Sequence, residues 1–70
     1  MAKSAFRLRL YEEARTDPDK QLRVLKRLYV LEQTELDGTA AQRARITALD
    51  ELLEHRGVDL AELLSAIATG

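Results

Sequence analysis

Over residues 18–36 the apolar side chains return with the period of an α-helix. Leu22, Val24, Leu25, Leu28, Tyr29, Leu31 and Leu36 fill about half of the helical circumference, and Lys20, Arg23, Lys26 and Arg27 fill much of the rest. Two residues break the pattern. Val30 stands alone inside the basic arc, and Glu32 lies inside the apolar one. An apolar arc of roughly 180° exceeds the ~100° stripe of an ordinary surface helix. A helix of this kind is expected to touch neighbours on two sides.

The same period recurs twice more. Residues 40–56 place Ile46, Leu49, Leu52 and Leu53 on one face, with Arg45 and Arg56 at its edge and Arg43, Asp50, Glu51 and Glu54 opposite. Residues 60–68 gather Leu60, Leu63, Leu64 and Ile67. Local signals punctuate the three segments. Asp17-Pro18 reads as a cap followed by proline at the first helical position. Asp37-Gly38 ends that helix near Leu36, and Gly57 ends the next at Arg56. Thr39 with Gln42 forms a capping box, and Asp59 with Glu62 an acidic variant of it.

Residues 5–11 admit two readings. As a helix, Phe6, Leu10 and Ala14 share a face. As a strand, Phe6, Leu8 and Leu10 alternate with Arg7 and Arg9. Helix is favoured, because the run continues into Glu12-Glu13-Ala14-Arg15, which are good helix formers. The expected fold is all-α: a single domain over residues 1–70. It is built on an antiparallel hairpin of helices 18–36 and 40–56, with a short helix at each end.

Glu32 in an apolar arc demands a partner. It stands six residues before Gly38; Ala44 stands six after, and Arg45 is next to it. A Glu32–Arg45 pair across the hairpin is therefore expected, and such a pair sets register more than it adds stability.

Composition adds a constraint on assembly. The chain has 70 residues and no cysteine, so neither a disulfide nor a thiolate–metal site staples it. Its Phe, Tyr, Leu, Ile and Val side chains number 21, generous for a domain of this size, and a homodimer is expected to bury the excess. No apolar run approaches membrane-spanning length, and Arg7 and Arg9 interrupt any signal-peptide core. The expectation is a cytoplasmic protein without membrane contact.

Charge is split between the halves. Residues 1–31 carry eight cations and four carboxylates, net +4; residues 32–70 carry three and eight, net −5. The formal total of −1 hides this dipole. Signals of catalysis are sparse. There is one histidine, no cysteine, and two serines far apart; Gly38, Gly57 and Gly70 form no phosphate-cradling loop. His55 reads as a helix C-terminal residue suited to the helix dipole. The chain is expected to be no enzyme and to use no cofactor or metal. A small regulatory or adaptor protein working by protein–protein contact is the expected function. Its docking face would be Arg23, Lys26 and Arg27 around Val30.

The strand reading of Phe6-Arg7-Leu8-Arg9-Leu10, placed before two helices joined at Gly38, resembles the ribbon-helix-helix repressors. That resemblance implies a dimer whose paired strands enter the major groove. Arg7 and Arg9 would then reach base edges, Lys20 would add to the basic surface, and the N–H groups at Thr39 would meet a phosphate.

Overall fold

The computed structural model describes the backbone of residues 2–69 and the side chains of residues 5–65. Four helices follow one another: α1 (Ala2–Thr16), α2 (Gln21–Thr34), α3 (Ala40–His55) and α4 (Leu60–Thr69). No strand occurs among the described residues, and no helix is long and apolar enough to cross a membrane. The fold is the expected small all-α bundle.

The centre of the bundle is α2. It packs against α1, α3 and α4, whereas α1 and α3 do not approach each other closely among the described residues. The wide apolar arc is the cause. Val24, Leu25, Leu28 and Tyr29 are all buried, and they meet Leu10 and Ala14 of α1 and Leu49 and Leu53 of α3. Leu60 and Leu63 of α4, with Val58 before it, pack on the edge of this core. The side chain of Ile67 lies outside the described residues. The hairpin is antiparallel, and its pairings are symmetric about the link between Gly38 and Thr39. Arg45 meets Glu32 near the turn, and Arg56 donates to Gln21 Oε1 at 2.7 Å at the far end.

Several boundaries differ from expectation. The first segment is helical throughout, so residues 6–11 form no ribbon. Asp17-Pro18 does not start α2. The Asp17 N–H still bonds Glu13 O at 2.9 Å and closes α1. Residues 17–20 then make a tight turn, with Lys20 N–H donating to Asp17 O at 3.2 Å and Asp19 N–H to Asp17 Oδ1 at 3.2 Å. Asp at the first position and Pro at the second suit such a turn as well as they suit a helix start. The Gln21 side chain donates back to Ala14 O at 2.9 Å, satisfying a carbonyl at the end of α1.

At its other end α2 stops at Thr34 rather than Leu36, and Leu36 is 67 % exposed instead of joining the apolar arc. The Thr39 cap forms as expected, its hydroxyl accepting from Gln42 N–H at 3.1 Å. The reciprocal half of the capping box does not form. The Gln42 side chain is buried under the link instead, bonding Glu35 O, Glu32 O and the Asp37 N–H. It satisfies the backbone groups that another helical turn would have used, and so ends α2 early.

The exit from α3 is a Schellman motif. Gly57 takes φ +81°, its N–H bonds Glu54 O at 3.0 Å, and Val58 N–H bonds Leu53 O at 3.0 Å. A Cβ on Gly57 would touch nothing within 4 Å, so any cost of Gly57→Ala is backbone strain alone. About 1 kcal/mol of destabilisation is expected, read as a lower urea midpoint with an unchanged slope. A neutral result would mean that this turn is not left-handed in solution.

Candidate protein-docking groove

Glu32 is the polar centre of the molecule. It is fully buried, and its carboxylate is held from two neighbouring helices. Arg45 Nε of α3 donates to Oε2 at 2.8 Å, the expected pair. The Tyr11 hydroxyl of α1 donates to the same oxygen at 2.7 Å. Gln42 Nε2 donates to Oε1 at 3.1 Å, and Arg7 Nε lies 3.6 Å from it. Arg7 also pairs with Glu35 at 2.9 Å. Burial by itself pushes the Glu32 pKa up; the bonds from Arg45, Tyr11 and Gln42 outweigh it and hold the carboxyl below its ordinary value. The Tyr11 hydroxyl moves the other way. Burial first, then its bond to Glu32 and the charge there, raise its pKa above the ordinary tyrosine value.

This knot bridges α1 and α3, whose backbones stand apart over α2 while the Tyr11 and Arg45 side chains meet at Glu32. Above it runs an open groove of about 420 Å³. Leu25 and Leu49 form its floor; Tyr11 and Ala14 wall it on one side, Ala48 and Leu52 on the other. Ala48 is exposed and Leu52 is 51 % exposed. Arg15, Arg45 and Arg56 stand on the rim with one carboxylate, Glu12. A smaller recess of about 200 Å³, lined by Arg7, Leu8, Tyr11 and Arg45, shares Tyr11 and Arg45 with it. The groove thus continues toward Leu8, which is 67 % exposed. Contiguous exposed apolar surface with a charged rim is the usual form of a contact site.

The residues singled out in the sequence are dispersed. Arg23 and Arg27 are exposed and share a recess of about 160 Å³ with Lys20, Glu13 and Leu10. The Arg27 guanidinium lies 5.2 Å from the centre of the Phe6 ring. Lys26 lines a different recess, with Asp59 and Glu62 of the acidic half. Val30 is half-buried, less open than the basic arc suggested.

The geometry implied by the ribbon-helix-helix resemblance is absent. Arg7 is on a helix and committed to Glu32 and Glu35. Arg9 is exposed on the same helix. Lys20 lies 4.0 Å from Asp17 in the turn. The Thr39 N–H and hydroxyl both donate to Asp37 Oδ1, at 2.9 and 2.7 Å, so a carboxylate of the chain occupies the position proposed for a phosphate. Those hydrogen bonds also hold the Asp37 pKa below its ordinary value.

The groove itself was not anticipated from the sequence. Its signals are weak: small residues, Ala14 and Ala48, at positions where a neighbouring helix would otherwise be met. No protein-family model, curated protein or solved structure matches this chain.

Proposed function

We propose that this chain is a small, non-catalytic regulatory or adaptor protein that works in the cytoplasm by contact with another protein. The observation that carries the reading is the open groove between α1 and α3, where Ala48 and Leu52 stand exposed beside a floor of buried Leu25 and Leu49. The basic half of the chain has an accessory part: Arg23, Lys26 and Arg27 around Val30 supply a positive field that draws an acidic partner in. A second reading, a homodimer, is favoured by the exposure of Leu8 and Leu52.

The test is a pull-down from the native host with the intact chain as bait, run in parallel with and without nuclease. Capture of the same protein in both samples is expected. Loss of all capture after nuclease treatment, or no capture at all, would sink the adaptor reading. Charge reversal at Arg23 and Arg27 is expected to slow association with the captured partner and to blunt its salt dependence, leaving dissociation nearly unchanged. Sedimentation equilibrium at high micromolar concentration decides the second reading: a lone 7.9 kDa species excludes the dimer.

A further inference from the structure

We infer that the α1–α3 groove is the seat of an acidic amphipathic helix belonging to another protein, a proposal that rests on the adaptor reading above. Shape gives the element. Both walls are helices whose backbone groups are used internally, so a strand has no edge to pair with. Two helices standing apart over a third leave the place that a fourth helix fills in a bundle. The α1 wall runs from Leu8 to Arg15, ~10 Å, and the α3 wall from Arg45 to Arg56, ~16 Å, at the helical rise. Three helical turns match that length. They bring two or three apolar side chains, at i, i+4 and i+7, over Leu25 and Leu49.

Charge gives the chemistry. The rim carries Arg15, Arg45 and Arg56 against Glu12 alone. Each arginine is already anchored, by Glu12, Glu32 and Gln21 respectively. With Glu12 set against Arg15 and Glu32 against Arg45, one unbalanced positive charge is left at the rim, on Arg56. Carboxylates flanking the apolar stripe of the incoming helix complement it.

The described side chains of a second copy fit that role less well. Among the described side chains, α3 leaves one large apolar residue exposed, Leu52, and α4 one, Leu64. The exposed apolar residues of α1, Phe6 and Leu8, are interleaved with Arg7 and Arg9, the wrong sign for this rim.

The test uses the full chain and a fluorescein-labelled, side-chain-stapled helical peptide of about 14 residues. The peptide carries leucine at i, i+4 and i+7 with glutamate on the flanks; a control carries lysine in place of every glutamate. Fluorescence anisotropy is expected to show the glutamate probe binding at least tenfold more tightly than the lysine probe. Ala48→Glu and Leu52→Glu, both at exposed positions, are expected to weaken the glutamate probe at least tenfold while circular dichroism and melting stay close to wild type. Arg15→Glu with Arg56→Glu is expected to reverse the preference between probes. Equal binding of the two probes, binding indifferent to Ala48→Glu and Leu52→Glu, or no binding would each overturn the inference. So would a dimer in sedimentation equilibrium that Leu52→Glu dissolves, since the occupant would then be a second copy. Repeating the host pull-down with Leu52→Glu separates the two levels. Undiminished capture refutes the groove and leaves the adaptor reading standing; absence of any partner for the wild type removes that reading itself.

Discussion

Glu32→Ala is expected to remove about 3 kcal/mol of folding stability, the low end of the range for taking one partner from a buried ion pair. Glu32 is fully buried, and the change deletes the acceptor used by Arg45, Tyr11 and Gln42 at once. The low end applies because the orphaned groups have recourse. The Arg45 side chain is 35 % exposed and can turn to water, and Arg7 keeps Glu35. Gln42 keeps its bonds to Glu35 O and the Asp37 N–H. Tyr11 and Arg7 Nε have the least; Arg7 Nε is buried and already makes no hydrogen bond. A domain of this length is stabilised by roughly 4–10 kcal/mol in all, so the variant sits near its unfolding threshold at 37 °C. Glu32→Gln is expected to fall between it and wild type, since the amide can still accept while losing the charge. Urea denaturation at pH 7 checks the order. A loss under about 1 kcal/mol for Glu32→Ala would mean that the knot is not formed in solution.

The same carboxylate sets an acid limb. Its folded pKa is lower than the ordinary 4.5, so on acidification the unfolded chain takes up a proton first. The stabilisation is complete above the ordinary carboxyl range and is lost as pH falls through the folded value. Glu32→Gln is expected to flatten that limb. Tyr11 acts at the other extreme. Its folded pKa is raised, so its contribution is complete below the ordinary 10.0 and is lost as pH rises from there through the folded value.

How much of this was legible depended on the range of each interaction. The Glu32–Arg45 pair was readable because one anomaly in an apolar arc and one glycine turn define its geometry. The cap at Thr39 and the turn at Gly57 were readable because each is decided within six residues. Arg7, Tyr11 and Gln42 were not assigned to the knot. The sequence sends Arg7 to base edges and Gln42 to a capping box, whereas Arg7 pairs with Glu32 and Glu35 and Gln42 lies under the hairpin link. The missing step was the angle at which α1 crosses α2. Once residues 6–14 are helical, Arg7 and Tyr11 lie one turn apart, beside the Leu10 and Ala14 face that packs on α2, and both can reach Glu32. Asp17-Pro18 failed for a different reason. Its chemistry fits a turn and a helix start equally, and the antiparallel return of the chain onto α1 selects the turn. The groove is the least legible feature. It is a place where two helix backbones stand apart, and no periodicity within one helix records that.

Leu28→Ala is expected to cost about 3 kcal/mol, within the range for emptying a fully buried leucine site. Leu28 is 0 % exposed and sits at the middle of α2, which packs against α1, α3 and α4. Its neighbours are poorly placed to collapse into the space. Tyr29 and Gln33 are joined through the tyrosine hydroxyl at 3.3 Å, and the Glu32 knot pins the next turn of α2. The cavity therefore persists, and its surface adds to the lost transfer energy. For a chain of this length the loss corresponds to a fall in Tm of roughly 12–24 °C. Leu52→Ala is the matching control, since it removes the same atoms from a side chain that is 51 % exposed on the groove wall. Its expected cost is below about 1 kcal/mol, because little apolar area leaves a buried setting. Thermal and urea unfolding of the two variants side by side is a test of the whole architecture. If the costs came out equal, Leu52 would be covered in solution and the groove closed. If Leu28→Ala were the milder change, α2 would not be the centre of the core.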